Sequence, residues 1–187
     1  LRRDRLRQDN RRGRRRDDYR DSDDEFQEQV VQLNRVMRVR KGGRRIRYNA
    51  LAVVGNRNGT VGVGFGKANE PPEAIRKSMQ DARKNLFQVP LVNGTIPHAI
   101  TGKASSSQVV LKPASRGTGV VAGSAPRLIL ELAGVEDVLS KILGSRNKIN
   151  SAAATIDGLK RLRNAAQVGR LRGKPAREVL GIGDTSS

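Results

Sequence analysis

Between Thr60 and Lys67 the chain reads Thr-Val-Gly-Val-Gly-Phe-Gly-Lys, so glycine recurs at 62, 64 and 66 with Val61, Val63 and Phe65 interleaved. Successive side chains of an extended strand point to opposite faces, so the three glycines leave one face bare and the apolar residues occupy the other. A bare face cannot fill a core with its own side chains, and a helix or another backbone must sit directly on it. That requirement organises the flanking sequence. A strand from about Arg45 to Val54 precedes, and Gly55-Asn56-Arg57-Asn58-Gly59 supplies the left-handed positions of a hairpin. Further upstream, Val31, Leu33, Val36 and Val39 alternate irregularly with Arg35, Arg38 and Arg40 as a half-buried strand would, up to the turn Lys41-Gly42-Gly43. Downstream, Pro71-Pro72 opens a helix at about residue 72, where a missing N–H costs nothing, and Glu73 suits the helix dipole. Its apolar stripe is Ile75, Met79, Ala82 and Leu86, with Arg76, Lys77, Arg83 and Lys84 lying away from it. The expectation is a three-stranded antiparallel sheet covered by one helix, ending near Pro90.

The second half alternates strands and helices. Strands are expected near Ala99–Ala104 and Gln108–Lys112, then a Gly-rich loop from Pro113 to Ser124, a helix from Pro126 to Ala133 ended by Gly134, and a strand from Val135 to Leu143. A last firm helix begins near Asn150 and carries Ala153, Ile156 and Leu159. This is a second α/β layer, so the fold class is α+β. The division expected is a disordered Arg/Asp-rich tail over 1–27, a first domain over 28–90, a C-terminal α/β two-layer domain over 91–165 and a basic extension over 166–187. The tail is expected to be disordered when free because residues 1–25 hold ten Arg and eight acids and almost nothing apolar. It reads equally as a solubilising tail or as an arm that orders on RNA. The chain opens on Leu1, which reads as an incomplete or processed start.

Charge narrows the partner. Thirty-seven Lys and Arg against eighteen Asp and Glu leave a net charge of +19 on 187 residues. Such an excess repels the compact state, and a polyanion relieves it. No apolar run approaches the roughly 18 residues a membrane span needs, and no signal peptide is evident. Without cysteine, and with His98 as the one histidine, thiolate and histidine metal sites are excluded. Three Phe and two Tyr are too few for a base-stacking platform, which favours folded RNA recognised through phosphates, 2′-hydroxyls and shape. The densest signal is Arg35 to Arg47, seven cations and no acid in thirteen residues around Gly42-Gly43. Glycine lets the backbone approach a nucleic acid closely, and Arg hydrogen-bonds phosphate with two nitrogens at once.

Catalytic readings fail on the residues. Gly66-Lys67 is not a phosphate loop, since the earlier glycine falls on Val61 and the Ser or Thr on Ala68. Gly117-Thr118-Gly119-Val120-Val121-Ala122 satisfies a relaxed dinucleotide fingerprint with Glu136 and Asp137 downstream, but Pro113 to Arg116 separates it from its strand. His98 has no partner at a recognisable spacing. Glu131, Glu136 and Asp137 form no catalytic set, Glu131 being explained by its cationic neighbours.

The chain resembles the small-subunit ribosomal protein five family of bacterial type, over about residues 28 to 180. The residues that carry the likeness are Asn34-Arg35-Val36, Lys41-Gly42-Gly43-Arg44-Arg45, Ala50-Leu51-Ala52-Val53-Val54-Gly55, Asn58-Gly59-Thr60-Val61-Gly62 and Gly66-Lys67-Ala68. The second half agrees at Asn93-Gly94-Thr95-Ile96-Pro97-His98, Lys112-Pro113-Ala114-Ser115, Gly117 to Gly123, Leu132-Ala133-Gly134-Val135, Leu143-Gly144-Ser145 and Ala154 to Leu159. The Arg/Asp tail stands outside the family's pattern.

The resemblance implies an N-terminal domain similar to a double-stranded-RNA-binding domain and a C-terminal α/β domain. It implies a structural constituent of the small ribosomal subunit, near the body-head junction and the point where messenger enters, that supports assembly, decoding accuracy and messenger handling. The loop Val39 to Arg45 would reach ribosomal RNA near the neck, where changes are associated with spectinomycin resistance. The expected RNA-binding residues are Arg35, Arg38, Arg40, Lys41, Gly42, Gly43, Arg44, Arg45 and Arg47, with Lys67, Arg76, Lys77, Arg83 and Lys84. Arg116, Gly117, Gly119 and Arg127 are expected to face a protein partner. Partners implied are small-subunit ribosomal RNA, ribosomal proteins four and eight, and messenger RNA, with no cofactor, no metal, no small-molecule substrate, no membrane and no enzyme activity. The setting is the bacterial cytoplasm, with an organelle ribosome left open. A free duplex-RNA binder and a nucleotide-dependent protein using Gly117 to Ala122 are the alternatives.

Overall fold

The computed structural model describes residues 26–179; the segment 1–25, with the expected Arg/Asp tail, and residues 180–187 lie outside the described residues. Strands β1 (Gln27–Arg40), β2 (Gly43–Gly55) and β3 (Thr60–Ala68) form an antiparallel meander, and helix α1 (Pro71–Lys84) returns across it to a short strand β4 (Phe87–Gln88). The order is β1-β2-β3-β4, so two residues after the helix add a fourth strand to the three expected.

α1 lies on the glycine face. A Cβ built at Gly62, Gly64 or Gly66 would fall 2.3, 2.1 or 2.3 Å from the carbonyl oxygens of Ala82, Ser78 and Ala74. Ala74, Ser78 and Ala82 are accordingly the buried residues of α1, which corrects the stripe expected at Ile75, Met79, Ala82 and Leu86. A bare strand draws the helix in until only a small-residue face fits, and Ile75, Met79 and Leu86 flank that contact half-buried. Along the edge of β3 beyond β4, the Phe65 N–H donates to Asp81 Oδ2 at 3.0 Å, so the helix satisfies a ladder donor that no strand reaches.

The second sheet takes β5 (Ile100–Ala104), β6 (Ser107–Pro113), β7 (Val120–Val121) and β8 (Val138–Gly144) in the order β5-β6-β8-β7, with β7 parallel to β8. Helices α2 (Ser124–Ala133) and α3 (Lys148–Lys160) belong to it, and α4 (Ala165–Arg172) and α5 (Ala176–Val179) follow. Gly102 repeats the glycine device, its Cβ position lying 2.0 Å from Ala154 O on α3. The strand expected from Val135 begins three residues later. The Val135 N–H closes the end of α2 on Leu130 O at 3.0 Å, and the Glu136 and Asp137 N–H groups donate to Gly94 O at 2.8 and 3.2 Å. The Gly-rich loop contains β7, and the helices expected at Pro126 and Asn150 start two residues earlier.

The hairpin between β2 and β3 joins the two sheets. Its Arg57 and Gly59 N–H groups donate to Leu132 O and Ala133 O, both at 2.9 Å, and so satisfy carbonyls that the end of α2 leaves without helical partners. Buried Leu51, Val53, Val61 and Val89 from the first sheet share one core with Val109, Leu111, Ile129, Leu130 and Leu159 from the second. No helix among the described residues is long and apolar enough to cross a membrane.

Candidate nucleic-acid interface

β1 and β2 outrun β3. The last rung shared by all three strands is Tyr48 opposite Ala68, and from Arg47 to Gly43 the sheet is a two-stranded ribbon about 17 Å long at the usual strand rise. The turn Lys41-Gly42 closes it, with Gly42 at φ +91°. An isolated two-stranded hairpin is marginal in water, and this one holds its shape as the continuation of a packed sheet. Every residue from Leu33 to Arg47 is exposed, including Leu33, Val36 and Val39, which the alternation placed in a half-buried strand. Beyond the Tyr48 rung nothing in the described chain reaches far enough to cover Val36 and Val39, and Leu33 is left open on the edge strand.

Register sorts the seven cations onto different faces. Directly paired residues share a face, and the pairs Val36 with Arg47, Arg38 with Arg45 and Arg40 with Gly43 put four arginines on one side. Lys67 belongs to the same side through its pairing with Asn49. The opposite side, continuous with the helix face, carries Arg35 with Tyr48, Met37 with Ile46 and Val39 with Arg44. There the apolar residues stand open, Met37 at 55% and Val39 at 73% exposure.

The cationic side carries the electrostatic tension. Arg38 and Arg45 are direct cross-strand partners, a like-charge arrangement that destabilises a ladder. Among the described residues, no acid pairs with Arg38, Arg40, Arg45 or Arg47. These four arginines line a hollow of about 200 Å³ together with Val36 and, from the neighbouring rung, Met37. Lys67 is held with its Nζ 5.2 Å from the Phe65 ring centroid.

The other expected RNA-binding residues are placed differently. Arg76, Lys77, Arg83 and Lys84 sit on α1, on the far side of the sheet from the four ribbon arginines. Two of them already have acids: Lys77 lies 2.8 Å from Glu73 and holds that carboxyl below its usual range by hydrogen bonding and charge, and Arg83 lies 2.9 Å from Glu28.

The residues expected to meet a protein cluster at the β7 edge. Arg116 and Gly117 are exposed in the loop before β7, and Arg127 on α2 donates to Val120 O at 3.1 Å while standing 3.8 Å from Glu131. The buried Asp137 fixes this loop, its Oδ1 accepting the Gly119 N–H at 2.8 Å. That carboxylate, which a dinucleotide reading would turn toward a ribose, is directed inward to the loop's own backbone. Asp137→Ala is expected to lower unfolding free energy by about 1.5–3 kcal/mol, the usual cost of losing a hydrogen bond to a charged group. Amide exchange at Gly119 should rise with it. Urea titration and exchange read by NMR check the two, and an unchanged exchange rate would remove Asp137 from this role.

Sequence reasoning missed the sorting of the ribbon by face and a cluster of cations around the end of α3. The first was present in the alternation once the register was known; the second depends on where α4 folds back.

Residues 26–90 match the family model described as Ribosomal protein S5, N-terminal domain, and residues 102–172 match Ribosomal protein S5, C-terminal domain. Small ribosomal subunit protein uS5 of Syntrophobacter fumaroxidans is 53% identical over 152 residues, which cover 81% of this chain and 92% of the relative. That of Thermotoga neapolitana is 49% identical over 156 residues, covering 83% and 88%. The exposed arginine ribbon on a glycine-faced sheet thus stands in a chain whose relatives are named for the small subunit, and the chain belongs to the ribosomal protein S5 family of structural, RNA-binding, non-enzymatic ribosomal proteins.

Proposed function

We propose that this chain is a structural constituent of the small ribosomal subunit that grips small-subunit ribosomal RNA near the body-head junction through the β1-β2 ribbon. The observation that carries the reading is the ribbon face with Arg38 directly opposite Arg45, flanked by Arg40 and Arg47, and no acid in contact. The repulsion across such a face is relieved by a dense row of negative charge, and a phosphate backbone provides one, with counterion release as the driving force. Lys41 reaches the same RNA from the ribbon's tip, with Gly42 and Gly43 allowing close approach, and Arg35 and Arg44 on the opposite face and Arg76 and Lys84 on α1 add weaker contacts. In this reading residues 28–90 supply the RNA grip and residues 91–165 the protein contacts. The edge formed by Arg116, Gly117, Gly119 and Arg127 meets ribosomal protein four, protein eight lies alongside, and messenger RNA passes near by, so that the protein supports assembly and decoding accuracy. A bacterial cytoplasmic ribosome is the setting that the bacterial relatives favour.

Sedimentation tests this directly. The full chain, expressed with a tag in a bacterium and followed by mass spectrometry through a sucrose gradient, is expected with the small subunit and is expected to stay there through a high-salt wash. Recovery at the top of the gradient would overturn the ribosomal role and leave a free duplex-RNA binder.

A further inference from the structure

A broad concavity lies away from the ribbon, between the end of α3 and α4. It encloses about 830 Å³ and is lined by His98, Lys160, Arg161, Arg163, Gln167 and Arg170 among others, with no acidic residue in its wall. Cations at the end of a helix are ordinary complements of its dipole, and that accounts for Lys160 and Arg161. It does not account for Arg163, which stands in the connection after the helix and faces a wall that already carries positive charge.

The cleft is also built. Lys160 Nζ is held 5.1 Å from the Phe87 ring centroid, and Arg161 Nη1 donates to Thr101 O at 3.3 Å and to Asp157 Oδ2 at 3.2 Å. The Arg163 backbone N–H donates to His98 Nε2 at 3.2 Å, which leaves the ring proton on Nδ1, 3.0 Å from Ala99 O. His98 is therefore a positioning residue that fixes the turn bearing Arg163. Asn164 begins α4 with a capping box in which its own N–H donates to Gln167 Oε1 at 3.2 Å, and this sets Arg170 one turn further along the cleft. No ion pair engages Arg163 or Arg170 among the described residues.

We infer that this cleft is a second phosphate-binding site, taking the phosphodiester backbone of an RNA strand through Arg163 and Arg170 with Lys160 and Arg161 behind them. The inference rests on the RNA-binding reading above and extends it to the C-terminal half, far in sequence from the ribbon. The volume falls within the range of about 300–1,000 Å³ typical of small-ligand clefts, which leaves room for one or two phosphate groups of a strand. Four cations with no Phe, Tyr or Trp in the wall favour the backbone over the bases.

Filter binding of the full-length protein to a transcript of small-subunit ribosomal RNA, over a series of salt concentrations, tests it. Arg163→Ala with Arg170→Ala is expected to flatten the dependence of log K on log salt by about 1.5–2, close to one for each phosphate that the variant no longer neutralises. Arg163→Lys with Arg170→Lys is expected to keep the wild-type slope, and circular dichroism of both variants guards against misfolding. An unchanged slope in the alanine variant, while ribbon variants weaken binding, would overturn the cleft site and leave the ribbon reading standing. Absence of salt-dependent binding by the wild-type protein would instead overturn the reading on which it rests. Adenosine monophosphate supplies the remaining arm: competition by it at micromolar concentration would mean a mononucleotide pocket and would overturn the strand assignment. Retention of the slope difference when an acidic protein replaces RNA would do the same in favour of a protein partner.

Discussion

Gly64→Ala is expected to destabilise the first sheet strongly for a single added methyl group. The added Cβ would lie 2.1 Å from Ser78 O and 2.2 Å from Ala82 N, both backbone atoms of α1 that have no rotamer by which to move aside. Relief requires the helix to lift by more than an ångström, which opens the packing of Ala74, Ser78 and Ala82 and stretches the bond from Phe65 N–H to Asp81. Overpacking ordinarily costs about 1–3 kcal/mol, and with rigid backbone on the other side the loss should be at least about 3 kcal/mol. Gly42→Ala is the control. Gly42 has nothing within 4 Å of its Cβ position but sits at φ +91°, so its cost is that of the left-handed backbone alone, about 1–2 kcal/mol. Equilibrium urea unfolding followed by circular dichroism compares the two. A Gly64→Ala midpoint equal to that of Gly42→Ala would mean that α1 is not seated on the glycine face as described.

The seating of α1 also shows how far the fold was legible. The alternation of Gly62, Gly64 and Gly66 announced a close approach by backbone, and Pro71-Pro72 announced the helix that makes it. The helix face that does so was not announced by hydrophobicity, because the largest apolar residues, Ile75, Met79 and Leu86, are excluded from the closest approach by their size. Small residues at 74, 78 and 82, four apart, were the signal, and a hydrophobic scale passes over Ser78. Similarly, Val135 belongs to an apolar run, yet its N–H is taken by the end of α2, and the strand starts only when the backbone is free to pair. Non-local bonds such as Arg57 N–H to Leu132 O joined the two sheets into one core, and no local pattern carries them.

The candidate site was legible in composition and not in arrangement. Seven cations between Arg35 and Arg47 could be counted, but their distribution over two faces depends on register, and the irregularity between Val30 and Gln32 resets that register for β1. Val36 and Val39 show the consequence. Their apolar side chains mark them for a half-buried strand, but β3 ends at Ala68, before their rungs, so the ribbon has no third strand to bury them. By sequence alone Arg163 and Arg170 fall in or beside a diffuse basic extension, and only the reversal of the chain at Asn164 brings them to one cleft.

Replacing Arg38, Arg40, Arg45 and Arg47 by alanine is expected to lower affinity for a small-subunit ribosomal RNA transcript by about a thousandfold near physiological salt, with the salt slope falling by about 3–4. The four side chains share one ribbon face, so each can neutralise a phosphate of the same backbone. Folding should respond in the opposite sense or not at all. All four are exposed, where substitutions usually change stability by less than about 0.5 kcal/mol, and the variant removes the unfavourable Arg38–Arg45 pairing. A urea midpoint at or above that of the wild type, together with collapsed binding, distinguishes an RNA grip from a structural role. Arg35→Ala with Arg44→Ala, two cations from the other face of the same ribbon, should reduce the slope by less than about 1, under half the loss per cation of the first set. Equal losses from the two sets, cation for cation, would mean that the ribbon acts as a diffuse positive rod and that the register assigning four arginines to one face has no part in recognition.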